Sequence, residues 1–488
     1  MPPHAHHLHA ESSAWSIWRS VAGLCAAGAA AWALRDDPKV ALACAAAALM
    51  AVWWVLEALP LWATSLVPLL AIPLLRDDLP PLARAQASFS PYFDPYVGLF
   101  LGGMCVGAAM QEHGLHRRFA LRILLACGNS PRRVLAGLLV APALVSMWIS
   151  NTATTAMMLP VALSVALAAG PSEARRADRR GTAYLLAIAY GASIGGVATK
   201  IGTPPNAQFA GFMEQRGVEI GFVQFLIVGG GFVLLFLPVA WFLLSRLVPA
   251  EGQGGLARDS LRAQLESLGP MSRAERDIAL VFVATALLWT VSQPMAAWLE
   301  RSGAPDWLRT AHVEGAIALL AAVVLKLAGG ARPLLPWRAL RGVPWHTLVL
   351  LGGSFGLATL VVDSKAGAQL ALLFGGLRDA PPLAALFLAT LATVGLSAIA
   401  SNTATCGVML AVLWEAFGAG QALPILYGAT IAASCDFALP AGTAPNAIVA
   451  GSGLVSLRTM FLLGACLDVA AALVATAWVW LSVPLVHG

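Results

Sequence analysis

Charge is scarce in this chain. Only 11% of its 488 residues are Asp, Glu, Lys or Arg, while 59% are hydrophobic. A soluble domain carries roughly 25% charged residues, so an ordinary water-soluble protein is excluded. Alternation of apolar and polar residues over ~10-residue segments is also missing, which excludes a transmembrane barrel. The seven cysteines (25, 44, 105, 127, 406, 435 and 466) lie in apolar stretches without metal-ligand spacing and read as small packing residues. The apolar segment 16–34 has no small-residue cleavage pattern before Arg35-Asp36-Asp37. It reads as a first membrane helix, not as a removed signal peptide. The net charge of +5 reflects basic loops beside membrane ends, not nucleic-acid binding.

What is present is apolar length with interruptions. The runs 40–56, 221–244 and 461–485 reach or approach the ~20 residues a membrane-crossing helix needs. The chain is therefore an all-helical polytopic membrane protein. Residues 1–13, with His4, His6, His7 and His9, read as a disordered polar tail. Residues 40–75 are too long for one span and break at Pro60, which predicts two helices. Gly98, Gly102, Gly103 and Gly107 line a small-residue face suited to close helix packing. Glu57 and Asp363, near helix ends, read as interfacial or interhelical hydrogen-bonding groups.

Two polar islands organise the rest. Ser150-Asn151-Thr152-Ala153-Thr154 recurs as Ser401-Asn402-Thr403-Ala404-Thr405, 251 residues later and again inside an apolar run. Each is followed by a motif no helix can continue through: Gly202-Thr203-Pro204-Pro205-Asn206 and Gly442-Thr443-Ala444-Pro445-Asn446. Gly102-Gly103 precedes the first pentad by 48 residues and Gly352-Gly353 the second by 49. Such an agreement marks an internal repeat. Arg132-Arg133 and Arg175-Arg176 with Arg179-Arg180 flank the first pentad segment, placing both its ends on the cytoplasmic side. A re-entrant hairpin follows, because each arm is barely long enough to span. The second segment is flanked by Arg378-Asp379 and Glu415 instead, so it opens to the other side. The two repeats then have inverted topology, each with a re-entrant hairpin and a broken helix.

The boundaries that follow are a tail 1–13, parts 14–130 and 277–380, and two hairpin-bearing parts. Part 131–248 holds a hairpin at 131–170 and a broken helix at 182–213. An inter-repeat linker covers 249–276, with Ser272 and Glu275 at capping-box spacing. Part 381–488 holds a hairpin at 381–420 and a broken helix at 424–452.

Hydroxyls, amide NH2 groups and half-helix N-termini donate to an anion. Asn oxygens and freed carbonyls are hard ligands for a cation such as Na+. Two such sets suit a substrate with two anionic ends bound between two cation sites. No pentad residue is charged, so co-bound cations must compensate the substrate.

On these residues the chain resembles the divalent anion:sodium symporter family of dicarboxylate, tricarboxylate and sulfate transporters. The resemblance runs from about residue 40. It includes Glu57-Ala58-Leu59-Pro60, Gly114-Leu115-His116-Arg117-Arg118, Leu268-Gly269-Pro270-Met271-Ser272, both pentads and both breaks. It implies a homodimer in a bacterial inner membrane with a cytoplasmic N-terminus, lipid-embedded, moving C4-dicarboxylates with Na+ by an elevator mechanism. In it, 14–130 and 277–380 would be the scaffold and 131–248 and 381–488 the transport parts. It implies no organic cofactor. Substrate contacts would come from Ser150, Asn151, Thr152, Thr203, Ser401, Asn402, Thr403 and Thr443. One Na+ would sit at Ser146, Ser150, Asn151 and Gly202, largely on carbonyls, and another at Ser397, Ala400, Asn402 and Gly442. Ala444 stands where the family has the first of two prolines, which softens the second break. Lys200 and Asp436 are ionisable where neutral residues are expected. They are read as a pair across the repeat interface, as modifiers of cation coupling, or as a snorkelling Lys and a water-exposed Asp.

Other classes weigh less. A hydrolase using Ser150 or Ser401 has no His or acid within the motif. A proton-coupled antiporter needs a buried acidic pair, and in sequence only Asp436 qualifies. An exchanger of dicarboxylates or citrate, and a carrier of sulfate, share the same motifs.

Overall fold

The computed structural model describes residues 5–167, 174–249, 255–305, 308, 310–330, 332–367, 369, 372, 375–440 and 442–487. Residues 1–4 of the expected tail, 168–170 of the first hairpin segment and 250–254 of the linker lie outside them. Among the described residues there are helices and no strands. The first helix, Ala5–Ala33, takes in most of the 1–13 segment.

Six described helices are long and apolar enough to cross a membrane: Pro38–Leu56, Pro81–Glu112, Phe222–Ser245, Thr310–Leu327, Trp345–Ser364 and Leu457–His487. A seventh candidate is Arg273–Thr290 with Ser292–Arg301, bent by 59°. The stretch 40–75 differs from the two helices expected. It forms Pro38–Leu56, Leu61–Thr64 and Val67–Leu75. The first break begins at Glu57, whose left-handed backbone (φ 49°) ends the helix ahead of Pro60. Asp363 is an interhelical group, paired with Arg76 at 2.9 Å.

The glycine pairs are points of closest approach. A β-carbon on Gly102 would come within 2.3 Å of the Ala318 backbone, and one on Gly353 within 2.3 Å of the Ser65 carbonyl. Two motifs distant in sequence also meet. Buried Arg118 donates to the carbonyls of Gly269 (2.8 Å) and Leu268 (3.1 Å) and to Glu275 Oε1 (2.7 Å). Glu275 closes the expected capping box with Ser272, bonding at 2.7 and 3.1 Å. Arg118 thus fastens the linker to the helix Leu115–Cys127.

Each pentad opens the second arm of a helical hairpin. The arms are Pro131–Ser146 and Asn151–Leu167 in the first, Pro382–Ser397 and Asn402–Phe417 in the second. An arm of 16 residues is about 24 Å long, short of the ~30 Å hydrocarbon core. After each hairpin comes a helix that stops and restarts: Ala174–Gly196 then Pro204–Glu214, and Ala419–Ala432 then Ala444–Ala450. The restarted pieces cross over. Pro204–Glu214 packs on Asn402–Phe417 of the second hairpin, and Ala444–Ala450 packs on Asn151–Leu167 of the first. The core therefore runs through both halves, and both polar islands lie where the halves interlock.

Candidate functional site

The hairpin tips are built alike. The first arm ends at a serine, four residues turn the chain, and an asparagine starts the second arm. In the first half Ser146 Oγ donates to Asn151 Oδ1 at 2.6 Å. In the second half Ser397 Oγ lies 3.3 Å from Asn402 Oδ1 and donates to the Ala433 carbonyl at 2.7 Å. Ser146 and Ser397 are fully buried, so each tip is pinned from inside by a hydroxyl that has no water to bond. At the start of the first hairpin's second arm, Ala153 N–H donates to Ser150 Oγ at 3.4 Å.

The breaks are bridged by one side chain each. Asn206 Nδ2 reaches the carbonyls of Gly196 (2.9 Å) and Thr199 (2.6 Å). Asn446 Nδ2 reaches those of Asp436 (2.9 Å) and Leu439 (3.0 Å). The spacings, ten and seven residues, are the same in both halves. Thr203 and Thr443 precede the restarted pieces with nearly identical extended backbone, φ/ψ −145°/147° and −141°/145°. Ala444 therefore leaves the backbone at Thr443 unchanged. The piece it opens has 7 residues against 11 in the first half.

Of the residues expected at a first cation site, Ser146, Asn151 and Gly202 converge. A β-carbon on Gly196 would meet Asn151 Oδ1 at 2.4 Å, and one on Gly202 would meet the Gly196 carbonyl at 2.3 Å. Glycine is needed at both positions because backbone and side-chain oxygens occupy that space. Ser150 is exposed, and its carbonyl accepts from Thr154 N–H at 3.0 Å. Of the second set, Ser397, Asn402 and Gly442 converge, with Asp436 among them. Asn402 Nδ2 donates to Asp436 Oδ1 at 3.2 Å, and a β-carbon on Gly442 would lie 2.5 Å from Asp436 Oδ2. Ala400 is buried at the tip, where its N–H donates to the Ser397 carbonyl. Both clusters present hydroxyl, amide and carbonyl oxygens, and the second adds a carboxylate oxygen with no hydrogen-bond partner. That donor chemistry fits a small hard cation.

The expected substrate residues divide by exposure. Ser150 and Thr152 are exposed, and Asn151, Ser401, Asn402 and Thr443 are half-buried. Thr203 and Thr403 are buried. Thr154 and Thr405, the last residues of the two pentads, are buried with unpartnered hydroxyls.

Lys200 and Asp436 do not pair. Lys200 Nζ bonds Glu314 Oε2 at 2.7 Å with both side chains fully buried, and it also lies 5.3 Å from the Tyr96 ring centre. The reading of Lys200 as a snorkelling side chain fails for the same reason. Asp436 is fully buried, so it is not water-exposed either. Glu314 gathers three further donors: Phe222 N–H (3.0 Å) and Ser292 Oγ (3.1 Å) on Oε1, and Trp289 Nε1 (3.1 Å) on its carbonyl. Nor is Asp436 the only buried acid. Asp468 of Leu457–His487 accepts from Phe437 N–H at 2.8 Å. Both missed acids carried a signal, each being the one carboxylate within a long apolar helix.

The tips differ in their surroundings. Trp148 at the first tip lies 6.2 Å from Phe222 and 6.5 Å from Trp289 in a parallel stack, with Phe282 edge-on at 5.0 Å. The corresponding residue of the second tip, Ile399, is 61% exposed.

Comparison with known proteins agrees with this architecture. A citrate transporter family model matches residues 51–432. The sodium-dependent dicarboxylate transporter SdcS of Staphylococcus saprophyticus is 32% identical over 459 residues, covering 90% of this chain and 85% of that protein. SdcS of Staphylococcus aureus is 31% identical over 455 residues with the same coverage. The solved structure of MtrF from Neisseria gonorrhoeae shares the fold at a TM-score of 0.53 and 12% identity, over 79% of this chain and 80% of that one. The chain is a membrane transporter and not an enzyme, and it belongs to the citrate transporter family, among the divalent anion:sodium symporters its motifs resemble.

Proposed function

We propose that this protein carries C4-dicarboxylates across the bacterial plasma membrane together with Na+. The observation that carries the reading is the duplicated constellation of serine, asparagine and broken helix. Two matched sets of neutral oxygen and N–H groups lie where the halves interlock. A substrate with two carboxylates placed between the tips meets one set at each end. Asn151, Ser150, Thr152 and Thr203 take one carboxylate, and Ser401, Asn402, Thr403 and Thr443 take the other. The tip N–H groups and helix dipoles add modest favourable charge. The neutral tips cannot balance a dianion, so Na+ at Ser146, Asn151 and Gly202 and at Ser397, Asn402 and Gly442 supplies the compensation. Substrate and ion then bind better together than apart, which is the thermodynamic basis of coupling. The SdcS relatives bear the name of sodium-dependent dicarboxylate transporters, which supports the same assignment.

Arms too short to cross the hydrocarbon core favour re-entrant hairpins, and the basic flanks of the first alone favour repeats of inverted topology. On this reading the N-terminus is cytoplasmic. Parts 131–248 and 381–488 move as one body against a scaffold that dimerises with a second copy. A thermal-shift screen of succinate, malate, fumarate, citrate and sulfate, with Na+ or choline, tests the ligand assignment. Succinate-type dianions should raise the unfolding temperature in Na+ and not in choline. Stabilisation by citrate or sulfate alone would reassign the substrate.

A further inference from the structure

The serine, asparagine and break residues recur in both halves, but one position beside them changes from no side chain to a carboxylate. Gly196 and Asp436 both stand ten residues ahead of the asparagine that bridges the break, and both give it their carbonyl. In the first half the missing side chain lets Asn151 lie directly against the backbone. In the second half a carboxylate fills that space. Asn402 turns its amide NH2 toward Asp436 Oδ1, while Oδ2 is fully buried beside Gly442 without a hydrogen-bond partner.

An uncompensated carboxylate in such a place is costly. No Lys, Arg or His among the described residues forms an ion pair with Asp436. The buried Lys200 is committed to Glu314. Asp468 is acidic too, and Tyr190 spends its hydroxyl on the Phe437 carbonyl. A β-carbon on Gly442 would meet both Asp436 Oδ2 (2.5 Å) and the Ala398 carbonyl (3.2 Å), and Oδ2 itself accepts no hydrogen bond. A bound cation would supply the missing partner.

We propose that Asp436 is a direct carboxylate ligand of the Na+ bound in the second half, so that the two ion sites of this transporter are unequal. This rests on the Na+-coupled reading above. In the first half every ligand is neutral, and Na+ there is held in part by the charge of the substrate. In the second half a fixed charge holds Na+ whether or not substrate is present.

The test is the Na+ dependence of thermal unfolding of the purified full-length protein without substrate, with choline holding ionic strength constant. 22Na+ binding is measured alongside, for wild type, Asp436→Asn and Asp436→Gly. Wild type should be stabilised by Na+ alone. Both variants should need at least about tenfold more Na+ for half-maximal effect, as expected when a unit charge leaves a partly desolvated site. In choline alone Asp436→Asn should unfold at or above the wild-type temperature, because an unpaired buried charge is gone. That also establishes that the variant folds. Equal Na+ midpoints in wild type and both variants would overturn the proposal and leave Na+ coupling standing. No Na+ binding by wild type, with or without succinate, would overturn both.

Discussion

The two hairpin tips use the same five residues and rest on different ground. The first is wedged under an aromatic stack through Trp148 and stands next to the Lys200–Glu314 pair. The second exposes Ile399 and encloses Asp436, whose outer oxygen has no partner. One half thus satisfies its buried charge with a side chain of opposite sign. The other keeps a buried charge open. The lesson is that duplicated sequence sets the frame of a binding site, while single unmatched residues decide what each half can bind.

The largest effect is expected at the satisfied charge. Lys200→Met alone, or Glu314→Gln alone, leaves a buried partner stranded and should cost about 3–5 kcal/mol. The double substitution should recover most of it, as read by denaturation of the purified protein. Equal stability of single and double variants would show that the pair is not the group holding this region. Next is Trp148→Ala, which strips a half-buried ring from its stack and should cost about 2–3 kcal/mol. The glycines at the breaks give a sharper contrast. Gly202→Ala and Gly442→Ala should each cost about 1–3 kcal/mol by overpacking. A β-carbon on Gly202 would meet a backbone carbonyl, so no side-chain change relieves it. One on Gly442 would meet Asp436 Oδ2, so Asp436→Gly should rescue Gly442→Ala and do nothing for Gly202→Ala. Rescue of both, or of neither, would break the comparison. The smallest effect belongs to Ile399→Ala, expected within about 0.5 kcal/mol of wild type because the side chain is largely exposed.

Much of this frame is legible without coordinates. The repeated pentad, the Gly-Thr-Pro and Gly-Thr-Ala breaks and the capping box at Ser272 each depend on local chemistry, and local chemistry is written in consecutive residues. The serine–asparagine pairs at the tips are five residues apart and fall into the same class. Partners of buried charges are not legible that way. Lys200 and Glu314 are separated by 114 residues. Nothing in spacing says that Lys200 turns to Glu314 and not to Asp436. The match between Gly196 and Asp436 stands in the spacing as well, each lying six residues before the break glycine and ten before the bridging asparagine. What spacing does not say is that the Asp436 side chain faces Asn402 and Gly442. The junction Glu57-Ala58-Leu59-Pro60-Leu61 is local in the same way, and the helix ends at its first residue.

Coupling of a dianion to Na+ by the paired tips shows itself in flux. Accumulation of radiolabelled succinate in proteoliposomes under an inward Na+ gradient, with K+ or choline gradients as controls, measures it most directly. Concentrative uptake should need Na+ and fall at least about thirtyfold in both Asn151→Ala and Asn402→Ala, the loss expected when a half-buried hydrogen-bonding ligand is removed. Uptake that ignores Na+ and requires a dicarboxylate inside the vesicle would contradict it.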